Sequence, residues 1–281
     1  MSYNRVLTIQ DVSCLGQCSG TVALPIISAC GQECCIIPSA VLSTHTAGFT
    51  NFTVTNLAEE IPGIRKHWEK EGLQFDCIYT GYLGSVEHID YVKDMFESRI
   101  RKGGLIVVDP AMADHGSLYY GFDMEYVENM KILCSMADIV LPNITEACFL
   151  TGMEYKTKYD ESYVRALIEK LQKLGAKSVA LTSVSYEKGR TGVTVSRDGN
   201  YSYYEHEYLC TEEKPSGWHG TGDIYSSAFV GAVLCGKTYE QAAVIAADYV
   251  MDCIKATIDT PEHWYGVRFE TQIGRLAEMV K

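Results

Sequence analysis

The sequence contains 281 residues with 47% apolar and 21% charged side chains, and its formal net charge is −12 at pH 7. This length fits one large α/β domain or two small ones, and the apolar fraction is ample for a sizeable core. The acidic balance disfavours nucleic acid and membrane surfaces as partners. A polyphosphate ligand would need a cation such as Mg2+ to approach this chain. We expect no signal peptide and no membrane span, because no apolar stretch approaches the ~18 residues that a span requires.

The eleven cysteines are a high count, but the number is odd and they are scattered through apolar segments. The closest pairs are Cys14/Cys18, Cys30/Cys34 and Cys34/Cys35. None of them has the two-residue gap of a zinc knuckle or a thioredoxin motif. We therefore expect free thiols in a reducing compartment, which predicts a cytoplasmic protein.

Short apolar segments alternate with longer amphipathic ones along the chain. Strands are predicted at 5–10, 33–38, 76–80, 104–109, 138–141 and 178–182. Helices are predicted at about 20–31, 55–71, 87–102, 123–136, 159–174, 222–235 and 238–257. This β-α-β-α order predicts an α/β fold in a single domain, 1–281, with a mainly parallel, doubly wound sheet. Segments 191–195 and 201–204 flank the turn sequence RDGN, which predicts an antiparallel hairpin at the sheet edge.

Polar or glycine residues follow five of the predicted strands. They are Gln10-Asp11, Thr80-Gly81-Tyr82, Asp109-Pro110, Pro142-Asn143 and Thr182-Ser183. In doubly wound sheets, ligands bind outside the carboxyl ends of the strands. The recurrence therefore predicts a binding rim, although each residue by itself is explained better as part of an ordinary loop.

The sequence Gly220-Thr221-Gly222-Asp223 runs directly into an apolar helical segment. Two glycines allow backbone N–H groups to turn towards one point, and a helix N-terminus adds unpaired amides and the positive end of its dipole. The pattern predicts an anion pocket. Asp223 is then either a first-turn charge that suits the dipole or a base beside the anion, as phosphoryl transfer to an alcohol requires.

The segment 231–238, GAVLCGKT, matches the phosphate-binding loop pattern GxxxxGK[ST]. That pattern requires a preceding strand, but residues 224–234 carry apolar and small side chains at helical spacing. We therefore interpret Gly236 as a helix C-cap and Thr238 as the N-cap of the next helix. The segment is predicted to be a helix–loop–helix connection.

With these residues assembled, the chain resembles the ribokinase superfamily and, within it, the vitamin B6 (pyridoxal/pyridoxamine) kinases. The Gly-Thr-Gly-Asp element and PNITE at 142–146 are shared across the superfamily. STHT at 43–46 and GYLGS at 81–85 resemble B6 kinases specifically. The resemblance covers nearly the whole chain. It implies a ribokinase-like three-layer α/β/α sandwich, ATP and Mg2+ as cofactors, and a pyridine vitamer as the substrate.

The resemblance also implies roles for individual residues. Asp223 would take the proton of the acceptor alcohol, and the amides of Gly220, Thr221 and Gly222 would stabilise the transferred phosphoryl group. Mg2+ would be bound by Glu146 and Asp109, partly through water. ATP would be contacted by Asp109, Asp114, Asn143, Glu146, Thr182, Ser183 and Thr221. The alternative for Asn143 is a helix N-cap, and for Glu146 it is the capping-box partner.

On the acceptor side, the resemblance implies that His45 stacks on the pyridine ring, Thr46 hydrogen-bonds its substituents and Tyr82 covers it. A structural role explains each equally well. B6 kinases commonly carry a serine after the first Ile-Gln, where this chain has Asp11. An ionised carboxylate only accepts hydrogen bonds, so Asp11 would favour a protonated ring nitrogen, a hydroxyl or the ammonium of pyridoxamine over an aldehyde. Alternatively, Asp11 is a loop residue and Ser13 takes the part of that serine.

Two other functions remain open. One is a kinase for hydroxymethylpyrimidine or a related heterocyclic alcohol; the other is a non-catalytic vitamer- or nucleotide-binding protein, which the complete Gly-Thr-Gly-Asp element disfavours. The resemblance implies a homodimer and leaves a monovalent-cation requirement open. Because water must be kept from ATP, we expect a closing segment, for which loops 208–219 and 111–121 are the candidates.

Overall fold

The computed structural model describes residues 3–210 and 218–281. The chain divides into two compact units, one from Met1–Leu57 and Tyr208–Lys281 and the other from Ala58–Glu207. Most of the first candidate closing loop, residues 211–217 of 208–219, lies outside the described residues.

Strands and helices alternate through both units. The strands are β1 (Arg5–Ser13), β2 (Glu33–Leu42), β3 (Val54–Asn56), β4 (Phe75–Thr80), β5 (Ile100–Val108), β6 (Ala113–Asp114), β7 (Ser117–Leu118), β8 (Ile139–Val140), β9 (Ser178–Val184), β10 (Arg190–Arg197) and β11 (Asn200–Glu207). The helices are α1 (Gly20–Ala29), α2 (Ile61–Lys70), α3 (Val86–Arg99), α4 (Met124–Met136), α5 (Ile144–Thr151), α6 (Glu161–Leu174), α7 (Thr221–Leu234), α8 (Tyr239–Lys255) and α9 (Ile273–Met279). Within the described part of the chain, no helix is both long and apolar enough to cross a lipid bilayer.

In the first unit, β1 pairs in parallel with β2, and β2 pairs antiparallel with the short β3. Helix α1 packs on β1 and β2, and α7 packs against α1 and α8. Small residues allow these close approaches. A Cβ at Gly20 would lie 2.6 Å from Ile36, and one at Gly231 would overlap the Sγ of Cys30. Helix α7, which begins at the predicted anion pocket, is therefore packed directly on α1.

In the second unit the strand order is β11-β10-β9-β8-β5-β4. Strands β4, β5, β8 and β9 are parallel, and β10 and β11 extend the sheet antiparallel. The β10–β11 hairpin turns at Asp198 and Gly199, whose φ values are 51° and 78°. Positive φ at both positions is typical of the type I′ turn. The predicted edge hairpin is confirmed.

The prediction of one helix over 55–71 is wrong at its start. Residues 54–56 form β3, a 3-10 turn covers 58–60, and α2 begins at Ile61. Proline in the first turn of α2 explains why the helix begins at this point, because the proline ring pre-sets the helical φ and its missing N–H costs nothing there.

The segment that matches a phosphate-binding loop joins two helices, as predicted. Helix α7 ends at Leu234, and Gly236 has a φ of 88°. Thr238 caps α8 and forms a capping box with Gln241. The segment lies between the end of one helix and the start of the next, so it has the geometry of a connection.

All eleven cysteines are free thiols, as predicted. Five of them are buried, and only Cys14 and Cys210 are exposed. Their distribution through the core is typical of small apolar side chains rather than of a disulfide framework.

Candidate active site

The Gly-Thr-Gly-Asp sequence forms a tight turn that opens α7. Gly220 is the N-cap and has a φ of 76°. A Cβ at Gly220 would clash with the carbonyl oxygen of Gln17, so only glycine fits. The Thr221 hydroxyl donates to the carbonyl of Trp218 at 3.0 Å, and no side chain of residues 3–210 or 218–281 caps the helix. First-turn amides have no partner within their own helix, so this turn offers them to a ligand.

Gly222 stands in contrast to Gly220. A Cβ at Gly222 would meet no atom of the described residues within 4 Å. Gly222 lies inside the helical span of α7, where any L-residue is tolerated. The described part of the protein therefore leaves open space beside this amide, where an anion could lie.

Asp223 lies in the first turn of α7 and is half-buried. Burial, and then the charges of Asp223 and Asp11, raise the pKa of the Cys18 thiol well above its usual range. Cys18 is therefore a neutral thiol at pH 7. Both carboxylates act on this one thiol, so the structure brings the predicted base into the same neighbourhood as Asp11.

Asp11 is a buried strand residue. It lies where the β1–β2 register shifts, between Gln10 and Val12, and is 4% exposed. Its Oδ2 accepts a hydrogen bond from the Ser13 hydroxyl at 3.0 Å. Burial raises the pKa of Asp11, and hydrogen bonds to Ser19 and Ser13 oppose that effect. Asp11 thus lies in a strand and not in a loop, because β1 is longer than predicted. Ser13 donates to its carboxylate, and which of the two residues meets the acceptor stays a prediction.

His45 is held through both ring nitrogens. Its Nδ1 accepts from the N–H of Ala47 at 3.2 Å, and its Nε2 lies 2.6 Å from the carbonyl oxygen of Tyr265. Because Nδ1 accepts, we assign the proton to Nε2, which donates to Tyr265. Burial lowers the pKa of His45, against the opposing effects of the Tyr265 hydrogen bond and Asp11. The ring is thus neutral at pH 7, and it is only 4% exposed.

The His45 ring also lies near the turn that opens α7. Its centroid is 5.8 Å from that of His219, which directly precedes Gly220. Thr46 is exposed beside it. We refer to Asp11, His45, Gly220, Gly222 and Asp223 as the turn cluster. The first unit therefore gathers the predicted base, the predicted anion-binding turn and three of the predicted acceptor residues, Asp11, His45 and Thr46.

In the second unit, Asn143 and Glu146 form a capping box at the start of α5. The Asn143 Oδ1 accepts from the N–H of Glu146 at 2.9 Å, and the Glu146 Oε2 accepts from the N–H of Asn143 at 2.8 Å. Glu146 Oε1 also accepts from the N–H of Met112 at 3.1 Å, and Asn143 Nδ2 donates to the carbonyl of Ala113 at 2.8 Å. Asn143 is thus the N-cap and Glu146 its capping-box partner, as the alternative interpretation predicted, and both carboxylate oxygens of Glu146 are already hydrogen-bonded.

Three carboxylates influence each other around this capping box. Glu146 is 3% exposed, and its pKa is held well above its usual range by burial first and by Asp109 second. Asp114 adds a smaller effect of the same sign. Asp109 is buried and accepts from the N–H of Ala111 at 3.2 Å. We refer to Asp109, Asp114, Asn143 and Glu146 as the carboxylate cluster.

The donor set of the carboxylate cluster fits a hydrated Mg2+ ion. Among residues 3–210 and 218–281, no group of three or more His, Cys, Asp or Glu side chains is arranged to hold a metal. Mg2+ needs no such cage, because it prefers oxygen ligands and keeps several waters. A nearby cation would also relieve the repulsion that raises the pKa of Glu146. Glu146, with both oxygens engaged, would act through water, whereas Asp109 could bind directly.

Thr182 and Ser183 lie inside β9, which continues to Val184, so the prediction that they follow the strand is wrong. The Thr182 N–H and hydroxyl both donate to the carbonyl of Pro142, at 2.9 and 3.3 Å. Ser183 is exposed and has a φ of 58°, a left-handed conformation that is uncommon for serine. Local strain thus coincides with a predicted nucleotide contact.

Tyr82 also belongs to the second unit. Its ring centroid is 5.3 Å from that of Phe122, which stacks on Tyr126 at 3.9 Å. Tyr82 is thus supported by an aromatic row, and its contact with the acceptor ring remains a prediction. The second candidate closing loop, 111–121, contains the small β6–β7 hairpin, and the N–H of Gly116 donates to the Thr145 hydroxyl at 3.1 Å.

Comparison with known proteins identifies the family. The family model described as phosphomethylpyrimidine kinase matches residues 24–267. The chain belongs to this family. A Bacteroides thetaiotaomicron protein described as a phosphomethylpyrimidine kinase, in a crystal form with pyridoxal, superposes with a TM-score of 0.92 at 34% identity, covering 98% of this chain and 96% of its own.

Two pyridoxal kinases are also similar to this kinase. The Lactobacillus plantarum enzyme superposes with a TM-score of 0.89 at 28% identity, covering 99% of this chain and 98% of its own. The Dictyostelium discoideum enzyme is 29% identical over 239 residues, 81% of this chain and 77% of its own. These matches confirm the resemblance to the B6 kinases and the ribokinase-like α/β fold with a mainly parallel sheet. The chain is an ATP-dependent kinase.

Sequence reasoning missed several residues of this kinase's first unit. His219 precedes the Gly-Thr-Gly-Asp element, so its position could have suggested a place near the turn. Cys18 and Ser19 precede Gly20, at the start of α1, and only the fold shows the hydrogen bond of Ser19 to Asp11 and the effect of the Asp11 charge on the pKa of Cys18. Tyr265 belongs to no motif, and its carbonyl reaches His45 only because the chain after α8 returns to that loop.

Proposed function

We propose that this kinase transfers the γ-phosphoryl group of ATP to the 5′-hydroxymethyl group of a vitamin B6 vitamer. The turn cluster carries the proposal: Asp223 stands at an open anion-binding turn, with buried Asp11 and neutral His45 in the same neighbourhood. Phosphoryl transfer to an alcohol needs a base, an acceptor site and donors for the moving charge. The pyridoxal in the Bacteroides crystal form and the two similar pyridoxal kinases support a vitamer as the acceptor.

In the proposed reaction, Asp223 accepts the proton of the vitamer hydroxyl while the oxygen of that hydroxyl attacks the γ-phosphorus of ATP. The new bond joins that oxygen to phosphorus, the bond to the β,γ-bridging oxygen breaks, and ADP leaves with the electron pair. The effect of Asp223 comes from position more than from basicity. The amides of Gly220, Thr221 and Gly222 donate hydrogen bonds to the phosphoryl oxygens as charge develops there.

On the nucleotide side, we assign Mg2+ and the ATP phosphates to Asp109, Asp114, Asn143 and Glu146. Mg2+, held by Asp109 and through water by Glu146, would neutralise part of the triphosphate charge. This need is acute in a chain with a net charge of −12. Asn143 and Glu146 hold residues 112–113 against the start of α5, so they also shape the site from which Asp109 acts. Thr182 and Ser183 contact the phosphates from β9.

On the acceptor side, the face of His45 stacks on the pyridine ring, Thr46 hydrogen-bonds a ring substituent and Tyr82 covers the ring. Asp11 is hydrogen-bonded to the neutral hydroxyls of Ser13 and Ser19. A buried carboxylate of this kind is stabilised by a cationic partner. We therefore propose that amine and alcohol vitamers are preferred over pyridoxal. Equal kcat/KM for pyridoxal and pyridoxamine, unchanged in Asp11→Ser, would contradict this preference.

A second candidate acceptor is hydroxymethylpyrimidine or a related heterocyclic alcohol. The description of the matching family favours it, because that description names a pyrimidine substrate. The base and the anion-binding turn would act identically on either alcohol. A panel of pyridoxal, pyridoxine, pyridoxamine and hydroxymethylpyrimidine, assayed with ATP and Mg2+ by coupled ADP release, separates the two candidates.

The decisive variant is Asp223→Asn, which keeps shape and removes the base. We expect kcat to fall by about 10²–10⁴-fold, while ADP affinity measured by calorimetry stays within a few-fold. Glu240→Gln is the matched control, because Glu240 is the acidic residue in the first turn of the next helix, α8. It should leave kcat unchanged. Asp223→Asn at wild-type kcat, or no ADP release by the wild type with any acceptor of the panel, would refute the proposal.

We also propose that residues 1–281 act as one catalytic domain and assemble as a cytoplasmic homodimer. The family match over 24–267 includes parts of both units, which supports a single functional domain. The free thiols fit a reducing compartment. Light scattering after size exclusion should give twice the chain mass of 31.2 kDa, and a monomer at micromolar concentration would contradict the dimer.

A further inference from the structure

Three segments of the first unit meet around the His45 ring. Loop 14–19 approaches through Gly16, where a Cβ would overlap the ring. Loop 43–49 carries His45 itself and Phe49, whose ring centroid is 5.0 Å from that of His45. The turn 261–266 supplies the Tyr265 carbonyl that accepts the Nε2 proton. The ring is therefore fixed by contacts far apart in the sequence.

Trp264 holds the last two of these segments together. Its ring centroid is 4.6 Å from that of Phe49, and its Cζ3 would lie 2.9 Å from a Cβ at Gly48. Gly48 has a φ of 83°, so the indole packs against backbone that only glycine readily provides. The adjacent Tyr265 ring lies 6.2 Å from Phe49 as well.

The exposure of Trp264 argues against a purely stabilising role. The side chain is 40% exposed, so much of its apolar surface remains in water. A tryptophan that served only the core would be more fully buried. The indole instead packs against the loop that carries His45 and the exposed Thr46.

We propose that Trp264 is a positioning residue for the acceptor: by packing on Phe49 and Gly48 it fixes loop 43–49 and the His45 ring in the arrangement that receives the acceptor ring. This inference rests on the proposed function, because it takes His45 as an acceptor contact. A ring ordered before binding loses no further freedom when the ligand arrives. Without Trp264, only the fraction of molecules with an ordered loop binds the acceptor, so apparent affinity falls by that fraction.

The effect of losing Trp264 should therefore fall on acceptor binding alone. Trp264→Ala is expected to raise KM for the vitamer about ten-fold, with KM for ATP and kcat at saturating vitamer changed less than two-fold. Trp264→Phe keeps an aromatic ring against Phe49 and should restore KM to within about three-fold of wild type.

Trp68→Ala is the matched control. Trp68 also packs on a phenylalanine, with its ring 5.2 Å from that of Phe75, but in the second unit. It should lower thermal stability to a comparable degree and leave the vitamer KM unchanged. Trp264→Leu replaces the alanine variant if the latter does not fold, as judged by circular dichroism.

The imidazole of His45 gives a second readout that does not depend on turnover. In protein with 15N-labelled histidine, the Nε2 proton donated to Tyr265 should give a slowly exchanging NMR signal, which Trp264→Ala should broaden or abolish. A Trp264→Ala enzyme with vitamer KM within two-fold of wild type, or with vitamer and ATP KM raised equally, would overturn the inference while the kinase activity stands. A wild type that phosphorylates no vitamer would instead refute the proposed function itself.

Discussion

Replacing Gly222 by alanine tests directly whether the first turn of α7 binds the transferred phosphoryl group. The new Cβ would meet no atom of the described residues within 4 Å, and position 222 lies within the helical span. Glycine to alanine inside a helix typically stabilises by about 0.5–1 kcal/mol. With ~2–4 °C in Tm per kcal/mol for a large domain, Gly222→Ala should melt at or slightly above the wild-type temperature.

Activity should change in the opposite direction. The methyl group would occupy the open space beside the Gly222 amide, which the phosphoryl oxygens need in order to reach the turn. Loss of one such donor typically lowers kcat by about 10²–10³-fold. The assay is ADP release at saturating ATP and vitamer, with a thermal melt in the same buffer.

Gly220→Ala is the contrasting variant. Its Cβ would clash with the Gln17 carbonyl, and its φ of 76° disfavours alanine. It should therefore lose stability and activity together. A Gly222→Ala protein with wild-type Tm and kcat within three-fold of wild type would refute the anion pocket at this turn.

Three further predictions follow from contacts elsewhere in the chain. Lys237→Ala should leave kcat and the KM for ATP within two-fold of wild type, because the 14 residues of α7 place Lys237 about 20 Å from the first turn of that helix. A ten-fold rise in the KM for ATP would favour the phosphate-loop interpretation. The pKa of Glu146 is higher in the folded than in the unfolded protein, so folding favours the protonated carboxyl. This contribution to the free energy of unfolding is complete below the unfolded pKa and is lost as pH rises through the folded pKa. Glu146→Gln should therefore raise Tm at pH 8 but not at pH 4.5, and raise the Mg2+ needed for half-maximal kcat; an unchanged pH profile of Tm would contradict the buried charge. Gly231→Ala should lower Tm by overlap with Cys30. Cys30→Ala in the same chain should restore part of it, because it removes the overlapping Sγ but keeps the Cβ at 2.9 Å; strictly additive melting shifts would contradict that contact.

The parallel strands and most helices could be predicted because their signals are local. Unbroken apolar runs such as 105–108 are typical of strands covered on both faces, and Asp198-Gly199 identifies its hairpin by turn chemistry alone. Strand β3 could not be predicted, because residues 54–56 are strand only through pairing with Ala40 to Leu42 of β2. A segment of three residues is too short for its own sequence to show such long-range pairing.

In the candidate site, too, features set by neighbouring residues were predictable and features set by long-range contacts were not. Asp223 and its turn were predictable because glycine, helix start and carboxylate are contiguous in sequence. The placement of Asp11 was predicted only in part, because the register shift that buries it depends on β2. The contacts of Tyr265 with His45 and of Trp264 with Phe49 were not predictable at all, since each joins residues more than two hundred positions apart.

Helices α5 and α8 both begin with a capping box, and comparing the two bears on the carboxylate cluster. At α8, Thr238 pairs with the neutral Gln241, which satisfies the helix start at an exposed position. At α5 the same geometry uses Glu146, which is 3% exposed and lies within the field of Asp109. Capping alone would be met by glutamine without the desolvation of a charge. The carboxylate at α5 is therefore better explained by a cation that it helps to hold, which supports the assignment of Mg2+ to this cluster.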